Sequence, residues 1–336
     1  MGALTAQSQS SDVDVYNVAV GYNAGYAVST GIQNVYVGGL TGDGATTGND
    51  NTGVGYQSLS GAGIFARNTA LGALTGQGIT TGVENVLIGH EAGDALTDAD
   101  FNVGIGSDAL GQDTKGNRNV AVGQEALSAQ NFTSPTDSYN TAVGMSAGRV
   151  VTIGVQNTLI GGLAGDALTD SDRNTAVGFQ ALTQDTLGQY STALGYFALG
   201  SQNFSSSTDA YNTALGYNTG GSITTGVQNT LVGSLAGDRL TDADANVALG
   251  YQALTQDRKG NTSVAIGAYA LTAQDFSSAT NSFNTAVGYG SGGAVSSGVH
   301  NTIIGGLAGD AMTTGNGNTA VGKDSMGGGV VTGSYN

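Results

Sequence analysis

The five residues Asn17-Val18-Ala19-Val20-Gly21 return as Asn34-Val35-Tyr36-Val37-Gly38 and again as Asn51-Thr52-Gly53-Val54-Gly55. Aligned on the closing glycine, the unit has anchors at 21, 38, 55, 72, 89, 106, 123, 144, 161, 178, 195, 216, 233, 250, 267, 288, 305 and 322, eighteen in all. The step is 17 residues except from 123 to 144, 195 to 216 and 267 to 288, where it is 21. A short fixed period is the mark of a stacked-repeat architecture. The array fills the chain, leaving an N-terminal extension, 1–16, and a single repeat array, 17–336. Three steps of 17 and one of 21 make a longer period of 72, visible where Asn157-Thr158-Leu159-Ile160-Gly161 is echoed at 229–233 and 301–305. A four-coil cassette has been duplicated.

Each unit predicts one coil. Position 2 is Val or Thr and position 4 is always Val, Ile or Leu. β-Branched residues at period two signal a strand, and the run is too short for a helix. Glycine at position 5, without exception, marks a backbone turn that a Cβ would obstruct or that needs positive φ. Asparagine opens sixteen of the eighteen units, with Ser191 and Ser263 in the other two. Asn tolerates left-handed backbone, and stacked Asn side chains can hydrogen-bond from coil to coil as a ladder. A polar turn such as Gln184-Asp185-Thr186-Leu187-Gly188 closes the unit. No 17-residue unit buries its own apolar face, so each coil must act as the lid of its neighbour. The expected fold is all-β: a parallel β-solenoid of eighteen coils, on the order of 85 Å long at roughly 4.8 Å per coil.

Alternation places positions 2 and 4 on one side of the strand and position 3 on the other. With 2 and 4 filling the interior, Val177 and Ile160 are core and position 3 faces out. Position 3 is Ala19, Ala70, Leu87, Ala121, Leu159, Ala176, Leu231, Ile303 and similar residues, never a charge. An apolar stripe of that extent predicts self-association, with Leu87, Leu159, Leu231 and Ile303 as its thickest contacts.

Composition narrows the function classes. Glycine takes 58 positions and proline one, Pro135, without the Gly-X-Y period of collagen. The regular aliphatic placement is foreign to a disordered chain. There is no cysteine, hence no disulfide framework or thiolate site. A net charge of −16 repels phosphate backbones and anionic lipid, which argues against nucleic-acid partners and membrane insertion. No apolar run reaches membrane-spanning length. Met1 to Ser11 lacks the pattern of a secretory signal, and Ala6 stands where a myristoylation motif needs Ser or Thr. The end of the chain, Thr332 to Asn336, falls where a nineteenth unit starts and is expected to be a cut.

Two features carry candidate chemistry. Acid-rich turns recur at Asp94, Asp98 and Asp100, at Asp166, Asp170 and Asp172, and at Asp238, Asp242 and Asp244. Clustered carboxylates can hold Ca²⁺, which takes six to eight oxygens, and Gly161 to Leu168 is similar to the nonapeptide of RTX calcium rolls, with Ala164 in place of a glycine. The run returns only every fourth coil, roughly 19 Å apart at the same strand spacing, so no ion bridges two copies; solvated turns are the expectation, with no cofactor and no metal. The three long coils carry one loop in near-copies, with an aromatic at each end: Phe132 and Tyr139, Phe204 and Tyr211, Phe276 and Phe283. These offer a sugar stacking and hydrogen bonds, or they pin the loop down; pinning is the expectation. His90 and His300 stand alone, and no catalytic constellation is visible. Threonine at position 2 in eleven coils raises an ice-binding face, a reading that fails if those threonines point inward with position 4.

Asn-Thr-Ala-Val-Gly-Phe-Gln-Ala-Leu at 174–182 and Asn-Val-Ala-Leu-Gly-Tyr-Gln-Ala-Leu at 246–254 resemble repeats of bacteriophage tail-fibre proteins, and are similar to the head repeats of YadA-like trimeric autotransporter adhesins. The resemblance implies a left-handed β-roll and a homotrimer. It also implies a structural role as the shaft of a tail fibre on a virion or phage-like particle, beside other virion or fibre proteins and positioning a host-recognition tip. The alternative is a bacterial surface adhesin head that binds host matrix protein or glycan. Adhesin heads use a shorter unit of about fourteen residues, and the adhesin's stalk, anchor and export signal have no counterpart here. An enzyme is not expected.

Overall fold

The structure, a computed structural model, describes residues 2–10, 12–328 and 332–336. Met1 and Ser11 of the expected N-terminal extension, and 329–331 of the array, lie outside the described residues. The chain forms two compact units, Met1–Asp170 and Ser171–Asn336. Each holds nine three-residue strands, from Val18–Val20 to Thr158–Ile160 in the first and from Thr175–Val177 to Thr319–Val321 in the second. Within each unit successive strands pair in parallel and in register, Val18 opposite Val35 and Thr192 opposite Thr213. The described residues contain no helix. The fold is therefore the all-β parallel β-solenoid that the repeat requires, one coil per unit. Each long coil spends its extra residues on a two-residue strand: Thr136–Asp137 pairs with Gly116–Asn117, Thr208–Asp209 with Gly188–Gln189, and Thr280–Asn281 with Gly260–Asn261.

The strand faces are the reverse of the expected ones. Position 3 points into the coil: Leu87, Leu159, Leu231 and Ile303 are fully buried, as are the alanines at the same position beyond the first coil. Positions 2 and 4 point outward, with Val20 58% exposed and Leu215 41%. Val177 and Ile160 accordingly lie on the outer face, and the four bulky position-3 residues are core, not a contact surface. The cause is volume. The ninth position of the unit is Gly wherever position 3 is larger than Ala, and Leu stands there only beside Ala or Gly: Leu159 with Gly165, Leu231 with Gly237, but Ala176 with Leu182 and Ala248 with Leu254. A Cβ on Gly165 would stand 2.7 Å from Leu159 Cδ2. The two positions share one interior space, filled to the density that folded cores require.

The position-5 glycine is needed twice over. At Gly195 φ is +138°, and a Cβ there would collide with the carbonyl oxygen of Gly216 in the next coil. Left-handed backbone and close approach together admit only glycine. From Asn34 onward the position-1 asparagines are buried, and they form the predicted ladder. Asn229 is representative: its backbone N–H and Nδ2 both donate to Asn212 Oδ1, at 2.9 and 3.2 Å, and Nδ2 donates again to the Ala243 carbonyl at 2.8 Å. Both serine exceptions occur in long coils, where a glutamine supplies the missing amide. Gln202 Nε2 donates to Ser191 Oγ at 3.0 Å, and Gln202 Oε1 accepts from Asn212 Nδ2 at 2.8 Å; Gln274 does the same between Ser263 and Asn284.

The ladder reaches the chain's last residue, where Asn336 N and Nδ2 donate to Asn318 Oδ1, both at 2.9 Å. At the other end, the described part of 1–16 is not a free arm. Leu4, Ala6 and Ser8 donate backbone N–H groups to Ala24, Tyr26 and Ser29 carbonyls, and Leu4 packs on the core of the first coils.

Leu231→Asp places an uncompensated carboxylate in the coil interior and is expected to cost several kcal/mol, visible as a large fall in melting temperature. Leu215→Asp, on the outer face, is expected to leave the circular dichroism of the folded chain unchanged. Equal losses at the two sites would contradict the assigned faces.

Candidate functional site

The three long-coil loops divide their aromatics between two tasks. Phe132, Phe204 and Phe276 are buried, at 5, 4 and 7% exposure. Each packs against a glycine of the preceding coil; a Cβ on Gly116, Gly188 or Gly260 would stand within 2.9 Å of the ring. These rings fasten the loop. Tyr139, Tyr211 and Phe283 are about half exposed, 51, 49 and 53%. They sit just before the ladder asparagine with φ near +50°, which turns each side chain away from the coil. Planar neighbours cover one face of each: the Arg118 guanidinium lies 5.8 Å from Tyr139, Tyr190 stacks 5.2 Å from Tyr211, and His300 stacks 5.5 Å from Phe283.

Beneath each loop lies a buried group that the sequence did not single out. Asp185, in the polar turn that closes its coil, is fully buried. Its Oδ1 accepts the N–H of Gly188 at 3.0 Å and of Phe204 at 3.3 Å, and Oδ2 accepts Gln202 Nε2 at 2.6 Å. Asp113 with Gln130 and Asp257 with Gln274 repeat the arrangement. Burial pushes the Asp185 carboxyl above its ordinary range, opposed by the Gln202 and backbone donors. Every donor aimed at the carboxylate suits its ionised form, so the pair ties the long coil to the one before it. The signal was present in the sequence: Asp and then Gln recur 17 residues apart just before each long loop, at 113 and 130, 185 and 202, and 257 and 274.

The acid-rich turns spend their carboxylates on hydrogen bonds between coils. Asp98 accepts from the Thr81 hydroxyl at 2.8 Å and Asp242 from Thr225 at 2.9 Å. Asp100 accepts the Val83 N–H at 2.7 Å and Asp244 the Val227 N–H at 2.8 Å. Asp238 accepts the Thr255 hydroxyl. Asp172 stands 3.8 Å from Arg173 Nη1, Asp166 is partly buried, and Asp170 is exposed. Among the described residues no group of three or more His, Cys, Asp or Glu side chains is gathered as a metal site, and no pocket is found.

Asp94 belongs to a different acidic group. Glu91, Asp108 and Glu125 occupy the same coil position in three successive coils, the second residue after the glycine, with Asp94 beside them. Burial first, then the negative charges of Glu91 and Asp108, hold the Asp94 carboxyl above the usual range. Asp108 is raised likewise, by burial and then by Glu125 and Glu91. Like charges stacked across strands are destabilising.

Melting with and without EDTA is expected at one temperature, since these carboxylates bond to neighbouring coils; a calcium-restored drop would reveal a metal role. Asp108 is raised in the folded state, so the stability linked to it is complete below the ordinary carboxylate range and is lost as pH rises through the folded value. Asp108→Asn is expected to raise stability at pH 7 by on the order of 0.5 kcal/mol and to flatten the rise in melting temperature seen on acidification toward pH 4. No protein-family model matches the chain and no curated protein matches it, so a functional reading rests on this geometry and on the repeat itself.

Proposed function

We propose that this chain is a structural fibre subunit: the shaft of a phage tail fibre, or of a phage-like particle, that self-associates as a homotrimer and holds a host-recognition tip away from the particle body. One observation carries the reading. Groups that an enzyme gathers into a site are spent here on joining one coil to the next, in the asparagine ladder, the Asp–Gln pairs and the threonine and aspartate bonds of the turns. Such bonding makes a scaffold that lengthens by adding coils and needs no cofactor. The −16 charge keeps such a surface soluble and away from nucleic acid and lipid. A second reading, a bacterial surface adhesin, draws support from the half-exposed rings Tyr139, Tyr211 and Phe283, which face outward once in each cassette.

Immunogold electron microscopy of particles and cells from a producing culture tests the two. The first reading expects label on filaments projecting from particles; label confined to the bacterial surface would favour the adhesin, and label on neither would overturn both.

A further inference from the structure

Asparagine followed two residues later by Ser or Thr, with any residue but Pro between, occurs at three places: Asn131-Phe132-Thr133, Asn203-Phe204-Ser205 and Asn261-Thr262-Ser263. That spacing is the acceptor pattern for N-linked sugar. No ladder asparagine has it, because two residues on lies position 3, which points inward and never holds Ser or Thr.

The two matches in the long loops fall where a segment leaves the ladder. Asn131 and Asn203 are exposed, and so are Thr133 and Ser205. A threonine of the preceding coil holds each amide by its oxygen: Thr114 donates its hydroxyl to Asn131 Oδ1 at 3.1 Å, and Thr186 to Asn203 Oδ1 at 3.0 Å. Among the described residues neither Nδ2 donates to a protein group, and neither the Thr133 nor the Ser205 hydroxyl is bonded. The residue between, Phe132 or Phe204, is buried and roots the loop. Beyond it the backbone N–H groups of 133–134 and 205–207 make no bond to a neighbouring coil.

Asn261 has the same spacing and the opposite surroundings. Its Nδ2 donates to Asn281 Oδ1 at 3.2 Å and its Oδ1 accepts the Asp244 N–H at 2.9 Å. Ser263 is buried, with its hydroxyl 2.7 Å from Ser282 Oγ. The third long loop lacks the pattern. Asp275 stands where the others have asparagine, ahead of Phe276 and Ser277, and both its oxygens are taken by Arg258 at 2.8 and 3.0 Å.

We propose that Asn131 and Asn203 are acceptor sites for N-linked glycosylation by a transferase that uses a nucleotide-diphosphate hexose. In that transfer Nδ2 attacks the anomeric carbon. A C–N bond forms as the C–O bond to the diphosphate breaks, the nucleotide diphosphate leaves with the bonding electrons, and the amide gives one proton to a base of the transferase. The acceptor nitrogen must therefore be reachable and unbonded, the hydroxyl two residues on must be open to the transferase, and the backbone between must lift from the coil. The two loops meet these conditions in the folded chain and Asn261 meets none of them. A sugar there is bulky and solubilising, and it enlarges the loop that projects from the long coil. The sites stand on loop geometry alone, whichever of the two readings above holds.

The folded chain, incubated with a soluble N-glycosyltransferase specific for Asn-x-Ser/Thr and a nucleotide-diphosphate hexose, is mapped by peptide mass spectrometry. Hexose is expected on Asn131 and Asn203 in most molecules and far less on Asn261, whereas the denatured chain is expected to accept it at all three. Thr133→Ala and Ser205→Ala are each expected to remove the sugar from their own loop only, with unchanged circular dichroism. Asp275→Asn is expected to gain a sugar at 275, since Ser277 already completes the pattern. A folded chain that stays bare while the denatured chain is modified would overturn the proposal, as would equal labelling of Asn261 in the folded chain.

Discussion

A buried side-chain amide that must be satisfied by its neighbours sets the terms for the rest of this structure. From Asn34 onward each position-1 asparagine is enclosed between coils, where an unpaired donor or acceptor costs about 1–3 kcal/mol. Its Oδ1 takes two donors from the next asparagine in the ladder, and its own Nδ2 reaches a carbonyl on the far side of the interior, as from Asn85 to Ala99. That geometry holds only if coils stack in register with one unchanging spacing. The position-5 glycine is the backbone counterpart, since it permits the close approach of adjacent coils that the ladder demands. The two serine exceptions obey the same constraint, because Gln202 and Gln274 bring an amide into the vacated place.

Interior packing follows as a second layer of control. No coil puts a bulky side chain at both position 3 and position 9: Leu159 stands with Gly165 and Ala176 with Leu182, while Ala142 with Gly148 leaves room for the buried Val151. The long coils break the apolar run with Asp and Gln at adjacent levels, buried and fully bonded. A buried polar pair serves better as a marker of register than as a source of stability. Here it distinguishes the long coil from its three shorter companions, in a chain whose cassettes are otherwise close to interchangeable.

The surfaces then sort themselves by what the interior leaves over. The turn face carries acids bonded coil to coil, with Glu91, Asp108 and Glu125 as a column of like charges. The corner before the ladder carries planar side chains stacked on one another, such as Arg173 over Tyr190 and Tyr190 on Tyr211. The strand face carries aliphatic groups and threonines.

Period, coil number, parallel pairing and the asparagine ladder were legible in the amino-acid sequence alone, because each depends on a local rule repeated eighteen times. The glycine at Gly195 and the ladder at Asn229 stand as the repeat requires. The inward face was not legible from alternation: positions 2, 3 and 4 are all uncharged, and a period of two separates the faces without saying which is inside. The pairing of Leu159 with Gly165 and of Ala176 with Leu182 held that information, but it acquires meaning only when the coil closes and the two positions meet. The burial of Asp185 was hidden for a related reason. A polar residue between turn residues looks solvated along the chain, and only the loop folding back over it, with Phe204 and Gln202, takes it out of water. Local repetition thus determined the coil, while the closing of each coil on itself, which brings distant side chains into one shared volume, decided what is core and what is surface.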